Sequence, residues 1–172
     1  MSKLSRQIKG SWQPKVPKQK KEEQEFGSGK INILMCKVCE AVYYYKSWHH
    51  RLEDYKELSE DKRIKFVLCP ACLMIKDRRY EGHVILKNAP QDKKEEILRL
   101  VKNIGERAFQ RDPMDRIISV KTKSKDMEIL TTENQLAASI GKQIKKTFKG
   151  SLDIQWSHQE STVRVVWEHE KI

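Results

Sequence analysis

The sequence predicts an α+β protein in which a four-cysteine ribbon is followed by a linking helix and a C-terminal ββαββ domain with an antiparallel sheet. Three observations predict this class: two Cys-x-x-Cys pairs, a long stretch with helical apolar spacing, and a tail in which alternating segments flank a second helix. Only 38% of the 172 residues are hydrophobic and 34% are charged, so a single large core is not expected. A bound metal is a common staple for a module with so small a core.

The N-terminal segment, residues 1–29, is predicted to be a disordered basic arm. Residues 1–21 carry seven lysines and arginines and no acidic residue, which is the largest share of the formal net charge of +11. Two prolines and the flexible glycine-serine joint at 27–29 favour extended chain over packed structure. An arm of this kind can hold phosphate groups or simply keep the protein in solution, and its charge is compatible with both.

The cysteine module is predicted over residues 30–87. Apolar runs at 31–35 and 64–68 indicate short strands, each of which leads into a Cys-x-x-Cys turn. Between the two pairs, residues 52–58 carry apolar side chains at three-residue spacing, which indicates a short exposed helix. A further strand at 84–86 is expected to close the module.

The linking helix is predicted over residues 88–112. Asn88 is a candidate N-cap, and the helix should end before Pro113, which cannot continue it. Four apolar residues recur along one face at helical spacing. They are Ile97, Val101, Ile104 and Ala108.

Residues 113–172 are predicted to form the ββαββ domain, with one helix covering an antiparallel sheet. Thr132 and Gln135 fit a capping box that opens the helix, and Gly150 is its expected C-terminal stop. The strands are recognised by alternating apolar residues on either side of that helix. They are expected at 118–122, 127–131, 152–156 and 163–167.

The two cysteine pairs predict one structural zinc ion. A two-residue gap lets one turn present two thiolates to the same ion, and two such turns complete a tetrahedral set without an open position for a catalytic water. Twenty-nine residues separate the pairs, more than the roughly 15–20 of common ribbons, which the predicted helix between them explains. Iron in a rubredoxin-like site and two disulfides are the alternatives. The predicted ligands are Cys36, Cys39, Cys69 and Cys72.

Aromatic rings and cations follow the first cysteine pair, and further cations follow the second. Rings stack on unpaired bases and cations contact phosphates, so both segments are candidate RNA contacts. The rings can instead face the ribbon's own core, and the cations after the second pair can form an internal ion pair with Asp77. With the lysines of the arm, the candidates are Lys15, Lys18, Lys20, Lys21, Lys46, Trp48, Arg51, Lys76, Arg78 and Arg79.

Other classes of function have little support in the sequence. There is no glycine-rich phosphate loop and no serine or cysteine nucleophile with an evident base, so we expect no enzyme and no small-molecule substrate. Neither a signal peptide nor an apolar run of about 18 residues is present, so a cytoplasmic protein without a membrane partner is expected. Cysteines stay reduced in that compartment, which favours metal over disulfides.

A combination of motifs along residues 31–168 resembles a known family. The residues that carry the resemblance are Cys36-Lys37-Val38-Cys39, Ala41-Val42-Tyr43, Trp48, Cys69-Pro70-Ala71-Cys72, Ile75, Asp77, Gly82, Glu96-Ile97-Leu98, Ile129-Leu130-Thr131-Thr132, Ile140-Gly141, Gly150, Leu152 and Trp167. This combination is similar to small prokaryotic proteins described as NMD proteins affecting ribosome stability and mRNA decay. One departure is Glu40, where the family pattern leads us to expect glycine.

The resemblance implies a ribosome-associated function. The zinc-binding part of that family is similar to the NMD adaptor proteins of archaea and eukaryotes, which act on the large ribosomal subunit during its maturation and export. We therefore expect a factor that binds rRNA or the ribosome, with the large subunit as partner, in ribosome biogenesis, stability or dormancy (hibernation). The alternative is a DNA-binding, transcription-associated zinc ribbon.

Overall fold

A computed structural model describes residues 33–44, 46–51, 64–157 and 161–170, and it is α+β as predicted. The predicted basic arm and the predicted helix at 52–58 lie outside the described residues. A short 3-10 turn, Gln91–Lys93, precedes the second helix. In chain order the elements are β1 (Ile33–Cys36), β2 (Val42–Tyr44), β3 (Ser47–His49), β4 (Ile64–Val67), α1 (Pro70–Lys76), β5 (Gly82–Lys87), α2 (Lys94–Arg111), β6 (Ile117–Lys123), β7 (Asp126–Thr131), α3 (Asn134–Phe148), β8 (Ser151–Ser157) and β9 (Thr162–Glu168).

The first sheet holds the cysteine turns and has the strand order β3-β2-β1-β4. Strand β1 pairs antiparallel with β2 and parallel with β4, in a register that sets Cys36 opposite Val67. Because parallel neighbours end at the same edge of a sheet, the turn after β1 and the turn after β4 meet there. The two predicted strands that lead into the cysteine pairs are therefore confirmed, with bounds shifted by one or two residues.

The second sheet has the order β6-β7-β5-β9-β8, so β5 lies at its centre. The strand predicted at 84–86 exists, but it does not close the cysteine module. It pairs antiparallel with β7 and parallel with β9, so the prediction of a purely antiparallel sheet was also wrong. The physical reason is that Val84 and Leu86 are fully buried in the large core of the second sheet, whereas the small ribbon core offers no comparable apolar face.

Helices α2 and α3 cover one face of the second sheet and complete its core. Ile97 and Val101 of α2 and Ile140 and Ile144 of α3 pack there, each at most 1% exposed. Trp167 of β9 is fully buried in the same core, and its Nε1 donates to the carbonyl of Lys149 at 2.5 Å. None of the helices in the described part of the chain is long and apolar enough to cross a membrane.

The helix ends differ from the sequence predictions in detail. Helix α2 begins at Lys94, and Asn88 is not its N-cap; Asn88 has a φ of 53° and donates its side-chain amide to Glu168. Helix α3 begins at Asn134, and Thr132 does not cap it because its hydroxyl binds the chain before β6 instead. The predicted stop is confirmed: α3 ends at Phe148 and Gly150 has a φ of +89°.

Candidate metal centre

The four predicted ligands lie together. Their Sγ atoms are all within 4.8 Å of one another, and those of Cys39 and Cys69 are 3.6 Å apart. A tetrahedron built on zinc–sulfur distances of about 2.3 Å has edges of about 3.8 Å, so the spacing fits a single ion. None of the four cysteines forms a disulfide. The cluster can therefore hold a metal ion, in agreement with the sequence prediction.

The backbone around the cluster is arranged to support thiolates. The amide of Cys69 donates to Cys36 Sγ at 3.3 Å, and the amide of Cys72 donates to Cys69 Sγ at 3.4 Å. Cys69 is the N-cap of α1, and Pro70 occupies the first turn, where a missing amide proton has no cost. Each of these bonds stabilises negative charge on sulfur before any ion is considered.

Glu40 lies in the turn that follows the first Cys-x-x-Cys pair, at the position where glycine was expected. Its φ is 61°, in the left-handed region that favours glycine, and its amide donates to the carbonyl of Cys36 at 2.9 Å. The chain thus keeps the turn despite the side chain. Cys36 also donates its own amide to the carbonyl of Ala41 at 2.8 Å, which closes the knuckle.

Burial and hydrogen bonding give Cys36, Cys69 and Cys72 very different pKa values. Burial acts to raise the pKa of Cys36, but amides from Cys69, Cys39 and Val38 outweigh it and bring that pKa to about 6. Burial raises the pKa of Cys72 to about 11 and that of Cys69 beyond its usual range. A divalent cation is what allows all four to be thiolates together, because it offsets the repulsion and desolvation that keep protons on the buried thiols.

Three of the four cysteines are shielded from solvent, and Cys39 is partly exposed. Cys36 and Cys69 are fully buried and Cys72 is 6% exposed. The small side chains of Ala41 and Ala71, each 1% exposed, complete the cluster. Four sulfurs leave no position for a water or a substrate.

Side chains from the segment between α2 and β6 reach the cysteine cluster, which the sequence did not predict. The cluster packs against Met114, between α2 and β6. His50 is half-buried: its Nε2 donates to the carbonyl of Phe109 at 2.5 Å, and the two rings meet edge to face with their centroids 4.7 Å apart. The Arg116 guanidinium donates to Cys72 Sγ at 3.7 Å. No local motif marks Arg116, since 44 positions separate it from Cys72.

The candidate RNA contacts of the ribbon have different surroundings. Trp48 is half-buried, packs against the cysteine cluster and lies 5.5 Å from the ring of Tyr43, so part of its surface is used within the ribbon. Arg79 pairs with Asp77 at 3.4 Å. The exposed candidates are Lys46, Arg51, Lys76 and Arg78. The arm candidates Lys15, Lys18, Lys20 and Lys21 lie outside the described residues.

A second basic surface lies on α3, outside the predicted site residues. This helix contains no aspartate or glutamate, and none of its exposed lysines forms an ion pair within the described ranges. The cations at and before α2 differ, because Lys93, Arg99, Lys102 and Arg111 each pair with a nearby acid. Helical spacing places the α3 lysines on the side opposite its buried residues. They are Lys142, Lys145, Lys146 and, just past the helix end, Lys149.

An apolar cleft of about 590 Å³ runs between α2 and β6. Phe109 and Arg116 line it, together with apolar side chains such as Val101 and Ile117. At its rim Lys102 and Glu106 pair with each other at 3.7 Å. Apart from this ion pair and Arg116, the lining is apolar.

No family model, curated protein or solved structure matches this chain. What the metal centre and the basic surfaces do follows from their own geometry and from the sequence.

Proposed function

We propose that this protein is a non-enzymatic RNA-binding factor of the ribosome, built on one structural zinc, and that it acts in ribosome assembly, stability or dormancy. The resemblance of residues 31–168 to the NMD-like ribbon family supports this function, as does the formal net charge of +11. We propose rRNA as the ligand and the large subunit as its source. A cytoplasmic location follows from that partner.

The observation that carries the proposal is the contrast between two neighbouring helices. Four of the six cations at and before α2 are paired with acids three or four residues away, as on an ordinary solvated helix. The four lysines at 142–149 have no such acid on their own helix. Unpaired cations on one rigid face meet the repeating phosphates of a nucleic acid and release its counterions, which is the main source of affinity in such complexes.

The exposed cations of the ribbon add a second contact. Lys76 ends α1, and Arg78, with a φ of 55°, follows it in a turn that the metal knuckle holds in place. An arginine held on a rigid turn can grip a phosphate with two parallel hydrogen bonds. The arm would supply further cations that order only on binding.

Zinc is the ion we propose for the cysteine cluster. Four cysteine sulfurs complete a tetrahedral shell with no open position for catalysis. This shell suits zinc, which has neither a redox chemistry nor a preferred d-electron geometry. Metal analysis of the purified chain should give one equivalent of zinc and a colourless protein. One equivalent of iron with visible thiolate charge-transfer absorption would replace zinc with a rubredoxin-like centre.

The function is tested by sedimenting zinc-loaded protein with large subunits, small subunits and intact ribosomes across a salt series. We expect saturable binding to the large subunit that survives moderate salt. A variant with glutamine at 142, 145, 146 and 149 should bind more weakly, and its log–log salt slope should fall by about 3, since each phosphate contact contributes about 0.7–0.9.

The matched control carries glutamine at 93, 99, 102 and 111, which removes the same charge from the paired cations. If it weakens binding as much as the α3 variant, only net charge matters and α3 is not a contact surface. Binding that never saturates on any ribosomal particle contradicts the proposed function. Tighter binding to duplex DNA than to rRNA at equal salt would favour the transcription-associated alternative.

A further inference from the structure

The guanidinium of Arg116 lies between the cysteine cluster and the part of the chain that forms the second sheet and its helices. Arg116 Nη1 donates to Cys72 Sγ at 3.7 Å, and Nε donates to the carbonyl of Pro113 at 2.8 Å. The plane of the guanidinium lies over the ring of Phe109, 5.0 Å from its centroid. Nη2 is shielded from solvent and has no hydrogen-bond partner among the described residues.

A guanidinium that is partly buried in this way is stabilised by a negative partner. A carbonyl and an aromatic face stabilise a cation, but neither neutralises it. No carboxylate of the described residues pairs with Arg116. The nearby negative charge is on the cluster itself, because one divalent ion and four thiolates carry a net charge of −2.

We propose that Arg116 is an outer-sphere partner of the metal centre, and that through it metal occupancy stabilises the junction where α2 ends and β6 begins. Arg116 is a positioning residue in this scheme: it holds the Cys72 thiolate and reduces the net charge of the metal–thiolate centre. Hydrogen-bonded outer-shell groups of this kind commonly change metal affinity about 10–100-fold.

The contacts around Arg116 provide the route from metal to fold. Its amide donates to Thr132 Oγ1 at 2.8 Å, and the Thr132 hydroxyl donates to the carbonyl of Met114 at 2.6 Å. Met114 in turn packs against the cysteine cluster. The segment 113–117 is thus fixed by the cluster on one side and by the start of α3 on the other. This inference does not depend on RNA binding.

The experiment compares Arg116→Met with Arg116→Lys and with Arg107→Met, which removes an exposed arginine from helix α2. Metal release to a chromogenic chelator is measured for each zinc-loaded protein, and the thiolate-to-metal absorption of the cobalt-substituted forms is recorded. We expect release about 10-fold faster for Arg116→Met, partial rescue by Arg116→Lys, and no change for Arg107→Met. Among the three variants, only Arg116→Met should shift the cobalt absorption. A purely structural role of Arg116 would not alter the Cys72 thiolate, so this shift distinguishes the two roles.

Hydrogen exchange of the wild-type chain supplies a second measurement if Arg116→Met does not fold. Removing the metal should increase exchange at 109–117 and at Thr132, while strand β8 at the far edge of the sheet keeps its protection. Equal release rates and cobalt spectra for the two methionine variants would overturn the proposal. So would exchange at 109–117 that is the same with and without metal.

Discussion

Glu133 lies directly before α3 in an acidic neighbourhood formed by Glu81, Asp112 and Asp115. Burial raises its pKa to about 7, and the three neighbouring carboxylates add to the rise. The raised pKa means that the native state binds a proton more tightly than the unfolded chain, whose glutamate titrates near 4.5. The contribution of this group to stability is therefore full below pH 4.5 and is lost as the pH rises through about 7.

We predict that Glu133→Gln stabilises the protein at pH 8 and has little effect near pH 5. The gain should be on the order of 1 kcal/mol, since solvent screens a half-buried group and the lost charge also favoured the helix N-terminus. Urea unfolding of both proteins at the two pH values measures it. A gain of the same size at both values would mean that ionisation of Glu133 is not the cause.

The metal ligands were predictable at the residue scale because their spacing alone carries the chemistry. Glu133 and Arg116 were not predictable, because the role of each depends on residues that are distant in sequence. Arg116 gains its importance from Cys72, and Glu133 from its burial in the folded chain and from Glu81, 52 positions earlier. Periodicity and motif spacing do not report such contacts.

At the scale of elements, the contact of β5 with α3 depends on Gly82. A Cβ at this position would lie 2.1 Å from Thr131 Oγ1 and 2.4 Å from the Cβ of Ala137. The Ala137 Cβ cannot move away without moving α3, and rotating the Thr131 hydroxyl would break its hydrogen bond to the carbonyl of Glu133. The central strand and its covering helix are therefore in direct backbone-to-side-chain contact.

We predict that Gly82→Ala destabilises the protein by about 2–3 kcal/mol, the usual cost of overpacking a core. Gly105→Ala is the control: its Cβ would meet Ile117 Cδ1 at 2.5 Å, the far end of a side chain that can rotate, and alanine favours the helix by about 1 kcal/mol. Thermal and urea unfolding measure both. Equal destabilisation by the two substitutions would argue against the strand–helix contact as the cause.

Element prediction succeeded where local spacing is strong and failed at boundaries. Helix α2 and the two hairpins follow from their apolar periodicity. The predicted start of α2, at Asn88, lies six residues before the actual one. An asparagine two residues before a proline fits a helix start, but it is also typical of a loop. Thr132 fitted a capping box by sequence, yet its hydroxyl bonds to Met114 and Arg116, contacts that form only in the folded chain.

At the scale of the whole molecule, the described residues contain two cores with different requirements. The ribbon core is small and consists mainly of the cysteines and two alanines, whereas the second core includes fifteen buried residues from helices and strands. Zinc binding contributes on the order of 10 kcal/mol to modules of the first kind. The second core has enough apolar burial to fold without it.

We therefore predict that a strong chelator unfolds the ribbon but leaves most of the five-stranded sheet intact. Hydrogen exchange should become fast throughout 33–44 and 64–76, while β5, β7, β8 and β9 remain protected and a cooperative thermal transition persists. Loss of protection in both sheets at once would show a single cooperative unit. Retained protection in the ribbon would contradict a structural metal.

The fold class was predictable from sequence, but the arrangement of its sheets was not. Placing β5 in the ribbon was reasonable because it follows α1 closely along the chain. Its actual neighbours are β7, about 45 positions later, and β9, about 80 positions later. Pairings over such distances depend on total burial across the sheet, which no local pattern encodes.

The parallel pairing of β5 with β9 also sets an order of events during synthesis. All four cysteines leave the ribosome before Gly82 does, so the ribbon can bind metal while the rest of the chain is still being made. Gly82 must wait for Val163, 81 positions later, which is on the order of ten seconds at typical rates of elongation. Through that interval the edge of β5 that pairs with β9 has no partner strand, although the cysteines of the ribbon are already available to bind metal.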